Sequence, residues 1–146
     1  MSGRRGTSVS DTINRAGRFM ITAMEHIGLC ANDPKLLVQW YVDILGFRIV
    51  RALEQNRTYF IRAPHGGMLE VYPARHHQEQ VDNVHSGLRH IALSVTNLEK
   101  EVERLRSVGV AVPQDTMVVT PEMKLAFFRD PEGNLLHLVE RKEQIP

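Results

Sequence analysis

The sequence predicts an α+β protein built from two copies of a βαβββ module. His26 and His90 each follow a charged residue, and each begins a segment in which Ile and Leu alternate with smaller residues. A period of two is typical of a strand with one buried face. A helical pattern and three further strand patterns follow each segment. This internal repeat is the strongest organisational signal in the chain.

The first module begins with the strand near His26. Asp33 and Pro34 form a helix start, with a capping residue before a proline at the first helical position. Gly46 predicts the end of that helix. The apolar face of the helix comprises Leu37, Trp40, Tyr41 and Ile44. Strands are predicted over residues 47–52, 57–62 and 68–72.

The second module repeats this order after a polar, aperiodic linker. Thr96 and Glu99 have the spacing of a capping box, and Gly109 predicts the end of the second helix. Its buried face is predicted to comprise Leu98, Val102 and Leu105. A weak strand interrupted by proline is predicted over residues 110–119, with stronger strands over 124–129 and 135–141.

The predicted organisation of the whole chain follows from these elements. Residues 1–23 form an N-terminal extension that includes at most a short helix near Asp11–Phe19. The first module covers residues 24–73, the linker 74–88, the second module 89–141 and a tail 142–146.

Composition narrows the function classes. The chain has 146 residues, 42% apolar content and a net charge of +1, as an ordinary globular domain does. It has no basic stripe interleaved with aromatic residues and no apolar run that could span a membrane, so neither nucleic acid nor a membrane is an expected partner. A single cysteine and the lack of a signal-peptide pattern favour a cytoplasmic protein.

Four side chains occupy equivalent places in the repeat. They are His26, Glu70, His90 and His137. Period-two alternation places them on the faces opposite the apolar residues, whereas Glu140 falls on the other face by parity. If the modules pair about a pseudo-twofold axis, within one chain or between two, the four side chains converge.

Imidazoles and a carboxylate suit a divalent metal, namely Zn, Ni, Co, Mn or Fe(II). A single histidine at the start of a strand is more often an ordinary structural residue than a ligand. Four ligand-type residues at repeat-related positions favour a metal site. Cys30 is expected to face the same cavity as a small lining residue.

At these positions the chain resembles the vicinal oxygen chelate superfamily, the group of glyoxalases, bleomycin resistance proteins and extradiol dioxygenases. The matching segments are Glu25–Leu29, Trp40–Phe47, His90–Val95 and Phe127–Asn134. The resemblance covers residues 24–141 or so. It implies paired βαβββ modules that form a half-barrel around a metal, commonly as a homodimer. It also implies that the metal chelates vicinal oxygens of a small-molecule substrate and stabilises an enediolate or oxyanion.

Transferred by position, His26, Glu70 and His90 match the first three metal ligands of glyoxalase I-like lyases. The fourth differs, because those enzymes normally have a glutamate where this chain has His137. They also commonly have an arginine that serves glutathione where this chain has Cys30. A glutathione hemithioacetal is therefore not the expected substrate, and Glu70 becomes the candidate for proton transfer.

Three functions follow from this interpretation. The first is a metal-dependent lyase or isomerase of the glyoxalase-like type, in which Glu70 transfers a proton. The second is an extradiol-type dioxygenase, which requires Fe(II) held by two histidines and one carboxylate. The third is a non-catalytic protein that binds a small molecule such as a drug.

Overall fold

The computed structural model describes residues 21–77, 79 and 81–145. Most of the predicted N-terminal extension, including the short helix near Asp11–Phe19, lies outside these residues. The described elements form two βαβββ modules in series. The predicted fold class is therefore confirmed.

The first module begins soon after His26. Its elements are β1 (Ile27–Ala31), α1 (Pro34–Leu45), β2 (Arg48–Leu53), β3 (Thr58–Ala63) and β4 (Gly66–Pro73). The side chain of Asp33 accepts hydrogen bonds from the N–H groups of Lys35 and Leu36, as expected of a capping residue. Gly46 ends α1 in the left-handed conformation, with φ of 72°.

The second module repeats the order. Its elements are β5 (His90–Ser94), α2 (Leu98–Ser107), β6 (Val118–Val119), β7 (Met123–Arg129) and β8 (Leu135–Arg141).

Two details of the second module differ from the prediction. Asn97, not Thr96, caps α2, because its side chain accepts the N–H of Lys100. The weak strand predicted over residues 110–119 is reduced to the two residues of β6, preceded by a short 3-10 turn over Gln114–Thr116. Pro113 immediately precedes this turn and supplies no N–H for a strand ladder.

Each module forms a mixed four-stranded sheet. The strand orders are β1-β4-β3-β2 and β5-β8-β7-β6, so β1 and β5 are edge strands that each pair in parallel with the last strand of their module. The described strands do not close into a barrel. Because the connectivity is the same in both modules, equivalent residues occupy equivalent rows of the two sheets.

The two helices cover the apolar faces of the sheets. One continuous core contains buried residues from both modules. Its largest fully buried side chains include Leu37, Tyr41, Ile61, Leu98, Leu105, Leu136 and Leu138. This packing leaves the other face of each sheet free for polar residues. No helix in the described ranges has the length and apolar character needed to cross a lipid bilayer.

Polar contacts also join the modules. The Tyr41 hydroxyl on α1 donates to Asp130 Oδ2 over 3.0 Å in the turn between β7 and β8. The backbone N–H of Asp33 donates to Glu132 Oε1 over 3.0 Å. These contacts hold α1 and the residue before it against the second module.

Candidate functional site

The first pair of candidate residues, His26 and Glu70, lies on the open face of the first sheet. His26 Nε2 and Glu70 Oε2 are 3.2 Å apart, and the two side chains are 31% and 29% exposed. The other ring nitrogen of His26, Nδ1, contacts the carboxylate of Glu25. Donation from Nδ1 to that carboxylate orients the ring and leaves Nε2 directed at Glu70.

The second pair, His90 and His137, lies on the open face of the second sheet. The two imidazole rings have centroids 4.5 Å apart and planes inclined by 39°. His90 Nδ1 lies 2.7 Å from Asn83 Oδ1, an acceptor in the linker. A hydrogen bond from Nδ1 to this oxygen leaves Nε2 of the neutral His90 ring with its lone pair.

His137 is the most buried of the four side chains. The residue is only 8% exposed, and its Nδ1 has no hydrogen-bond partner among the described residues. Burial lowers the pKa of His137 from 6.5 to about 4, with further lowering by the positive charges of His90 and Arg141. The ring is therefore neutral near pH 7, which is the state in which imidazole binds metals.

The β-ladder explains why the two pairs resemble each other. Glu70 lies opposite Gly28 on one side and Phe60 on the other. The corresponding row of the second sheet consists of Ala92, His137 and Phe127. Each row thus has a small residue on the edge strand and a phenylalanine on the other side of the central side chain.

Both rows also place a phenylalanine against the first histidine of the pair. The rings of His26 and Phe60 meet edge-on at 5.6 Å, and those of His90 and Phe127 at 6.0 Å. Phe127 also contacts His137 at 4.9 Å. These aromatic rings limit the rotation of the imidazoles.

The structure brings the four candidates together in two pairs and not in one cluster. Among the described residues, no group of three or more His, Cys, Asp or Glu side chains is close enough to hold a metal. One histidine of each pair also lines a cavity, and the two cavities differ. His26 lines a cavity of about 250 Å³ beside Arg62 and Met68, and His90 lines a cleft of about 450 Å³.

The larger cleft lies between edge strands β1 and β5. Gly28, Cys30 and Tyr72 line it from the first module. A Cβ atom at Gly28 would lie 3.2 Å from the Tyr72 ring, so glycine allows this ring to lie across β1. A hydrogen bond to Cys30 raises the pKa of Tyr72, and the negative charges of Cys30 and Glu70 act in the same direction.

Glu140, the alternative carboxylate, lies on the opposite face of β8 from His137. Its Oε2 accepts the N–H of Leu98 at the start of α2 over 2.7 Å. Lys124 Nζ lies 3.9 Å from its other oxygen. Glu140 therefore stabilises the N-terminus of a helix.

Two groups at the site were missed by sequence reasoning. Asn83, which orients His90, lies in the linker that was read only as a polar connection. Arg89 lines the larger cleft. The charged residue before each histidine was a signal for Arg89, but no periodic pattern marks Asn83.

A family model supplies the decisive comparison. The model described as the glyoxalase/bleomycin resistance protein/dioxygenase superfamily matches residues 23–138. The chain belongs to this superfamily. The match covers the first module, nearly all of the second, and the four candidate residues His26, Glu70, His90 and His137.

Two relatives and one solved structure illustrate the breadth of the superfamily. Protein YwkD of Bacillus subtilis is 27% identical over 133 residues, covering 84% of this chain and 100% of that protein. Biphenyl-2,3-diol 1,2-dioxygenase 3 of Rhodococcus globerulus is 28% identical over 130 residues, covering 79% of this chain and 61% of the dioxygenase. Lactoylglutathione lyase of Agrobacterium tumefaciens superposes with a TM-score of 0.62 at 18% identity, over 84% of this chain and 96% of that protein. Superfamily membership thus includes lyases, dioxygenases and resistance proteins, and fixes the fold more closely than the reaction.

Proposed function

We propose that this superfamily member is a metal-dependent lyase or isomerase of the glyoxalase-like type, which acts on a small molecule with vicinal oxygens. The main support is the contact between His26 and Glu70. Its 3.2 Å separation is close to the roughly 3.4 Å between two ligands of one tetrahedral zinc ion with bonds near 2.1 Å.

The donor set suits a divalent ion such as Zn, Ni, Co, Mn or Fe(II). His26, Glu70, His90 and His137 would hold it. His137 fits this role because its buried Nδ1 has no partner among the described residues and its low pKa keeps the ring neutral. Such an ion would polarise the substrate oxygens and increase the acidity of the adjacent carbon.

Glu70 would transfer the proton. One of its oxygens lies beside His26, and the second remains available to the substrate. The carboxylate would accept a proton from the carbon next to a carbonyl group and return it to the neighbouring position, so that the substrate is isomerised without a net change of protons. Phe60 packs beside His26 and would help exclude water from this transfer.

A homodimer would complete the site. Among the described residues, the candidate ligands lie in two separate groups of two, whereas a catalytic zinc ion typically has three protein ligands. In a twofold dimer, the first pair of one chain can face the second pair of the other, which gives two identical sites.

An extradiol-type Fe(II) dioxygenase is the second candidate. The 28% identity to a biphenyl-diol dioxygenase favours it, and two of the three imidazoles together with Glu70 could supply the two-histidine, one-carboxylate set. The carboxylate is available from β4 of the first module.

Metal analysis combined with two reaction assays separates these candidates. Protein purified without chelator is analysed for metal, then assayed for deuterium exchange into 2-oxoaldehyde and 2-hydroxyketone substrates and for oxygen uptake with catechols. Bound Ni, Zn or Co with exchange that Glu70→Gln abolishes would support the lyase or isomerase, and Glu103→Gln, at an exposed position on α2, serves as the matched control. Bound Fe with catechol-dependent oxygen uptake would support the dioxygenase instead. Protein that binds no metal under reconstitution would exclude both enzymes and leave a small-molecule binder.

A further inference from the structure

The cleft between β1 and β5 has the dimensions of a ligand site. Its volume of about 450 Å³ falls in the range of small-molecule pockets. Apolar side chains form much of its wall, including Ile27, Leu29, Leu88, Ile91 and Leu135. Two arginine residues, Arg89 and Arg129, also line it.

Arg129 already has partners in the protein. It donates to the carbonyl of Gly133 over 2.7 Å and to that of Val81 over 3.4 Å. It therefore joins the β7–β8 turn to the linker. Glu132 is similarly occupied, because its carboxylate accepts from Asn32 Nδ2 over 2.5 Å and from the N–H of Asp33.

Arg89 differs from both. Its Nε is buried and has no hydrogen-bond partner among the described residues. None of the ion pairs among the described residues involves Arg89. The exposed linker residue Glu79 lines the same cleft but does not pair with it. Because Nε is closed off from the cleft, an anion there would meet the terminal Nη groups of Arg89. A cation that lines an apolar-walled cleft without a carboxylate partner among the described residues is suited to such an anion.

The linker leaves room for this guanidinium. Gly87 has φ of +103°, and a Cβ atom there would lie 3.2 Å from Arg89 Nη2. A larger residue would be strained and would crowd the group. The backbone conformation and the small residue together allow Arg89 to occupy the wall of the cleft beside His90.

We propose that this cleft binds an organic oxyanion with an apolar body, and that Arg89 binds its carboxylate or phosphonate group. The apolar wall would contact the body of the ligand, and the guanidinium would form charge-assisted hydrogen bonds with the anion. The proposal rests on the proposed function in one respect, namely that a ligand held here would present its remaining oxygens next to His90. It adds a substrate class, because a neutral ketone or diol could accept a hydrogen bond from Arg89 but would leave its charge unpaired.

Isothermal titration with matched ligands tests this inference directly. The probes are 3-phenylpropanoate, 2-phenylethylphosphonate and the neutral isostere 3-phenylpropanamide, each added to protein as purified and to chelator-treated protein. We expect an oxyanion to bind at least tenfold more tightly than the amide in both preparations, because Arg89 and not the metal discriminates between them. The better of the two acids then identifies the oxyanion.

Variants of arginine provide the second comparison. Arg89→Gln is expected to weaken oxyanion binding about ten- to a hundredfold while amide binding is unchanged. Arg89→Lys should retain part of the preference, because charge remains but the planar fork is lost. Arg48→Gln, an exposed residue on β2, is the matched control and should behave as the unmodified protein.

The binding data can contradict the oxyanion site and the proposed enzyme independently of each other. Equal binding of acid and amide, or a preference unchanged in folded Arg89→Gln, would overturn the oxyanion site even if the protein binds a metal. Oxyanion binding that depends on Arg89 in a protein unable to bind metal would support the cleft and exclude the proposed enzyme. Circular dichroism and the Tm confirm that each variant is folded.

Discussion

The two pairs of candidate residues occupy the same frame but differ in chemistry. In the first sheet, a carboxylate faces an imidazole 3.2 Å away. In the second, two imidazoles lie with their centroids 4.5 Å apart, and one of them is buried. The strand register is equivalent, since Glu70 and His137 lie opposite Phe60 and Phe127. The repeat therefore determines the position of each side chain. The identity of the central residue, Glu70 or His137, determines the chemistry of each pair.

The histidines also differ in how they are oriented. Glu25, the neighbour of His26 in the chain, supplies a charged acceptor for its ring. Asn83 supplies a neutral acceptor to His90 from the linker. The ring of His26 is therefore held by a residue next to it in the chain, whereas the ring of His90 is held by the path of the linker.

The largest expected effect concerns the separation of the pairs. His26→Ala and His90→Ala should each abolish metal binding when they are alone. If each site combines the first pair of one chain with the second pair of its partner, unfolding and refolding the two variants together should restore about a quarter of the metal content. This fraction arises because half of the dimers are mixed and each has one intact site. Inductively coupled plasma mass spectrometry of the refolded mixture measures it.

A matched mixture serves as the control for that experiment. His26→Ala refolded with Glu70→Ala should regain no metal, because both changes affect the first pair. Recovery in neither mixture, with wild-type protein regaining its metal under the same conditions, would show that both pairs of a site come from one chain.

The next effect concerns a polar contact that only one helix makes. Tyr41 on α1 donates to buried Asp130, whereas Leu105 holds the corresponding position of α2. Asp130 also accepts the N–H groups of Glu132 and Asn134. Asp130→Ala should reduce the free energy of unfolding by about 3 kcal/mol, because these donors and the Tyr41 hydroxyl lose their acceptor.

Urea denaturation measures that loss. Exposed Asp115→Ala is the control and should change stability by less than about 0.5 kcal/mol. A loss below about 1 kcal/mol in Asp130→Ala would mean that the contact between α1 and the β7–β8 turn contributes little to the fold.

A pH effect of similar size should distinguish the second pair from the first. Because the pKa of His137 falls from 6.5 to about 4 on folding, the folded state favours the neutral ring. The stability that depends on this neutral state is fully present above pH 6.5 and is lost as pH falls towards 4, on the order of 3 kcal/mol in total. Denaturation of metal-free protein between these values should show the slope, and His137→Gln should reduce it.

Exposed His76→Gln is the matched change for this measurement and should leave the slope intact. An identical slope in His137→Gln would mean that His137 is solvated when the protein is folded.

The smallest expected effect separates the two faces of β8. Glu140→Gln weakens the acceptor for the Leu98 N–H and should reduce stability by about 1 kcal/mol. Metal content should not change, because Glu140 lies on the face opposite His137. Loss of metal in this variant, at unchanged folding, would assign Glu140 to the site.

Most of the fold was predictable from the periodic spacing of apolar residues. The last strand was predicted over the residues that β8 occupies, and the buried residues Leu98, Val102 and Leu105 of α2 were identified from spacing alone. Both signals are local, since they depend on which face of an element is apolar. The capping residue was misplaced by one position because Thr96 and Asn97 are both suitable caps.

Features that depend on tertiary contacts were not predictable in this way. The position of Asn83 beside His90 depends on the path of the linker, which has no periodic pattern. The burial of His137 depends on packing against Phe127 and His90. The separation of the two pairs depends on how the modules pack, because alternation assigns a side chain to a face but gives no distance between sheets.

The central claim is that the four repeat-related residues form one kind of metal site. The most direct measurement is metal content by mass spectrometry on protein purified without chelator or nickel affinity resin, beside His26→Ala and His137→Ala. We predict about one divalent metal per chain in the unmodified protein and its loss in both folded variants. Metal retained in His137→Ala would contradict the four-residue site, and protein that never binds metal would contradict the account as a whole.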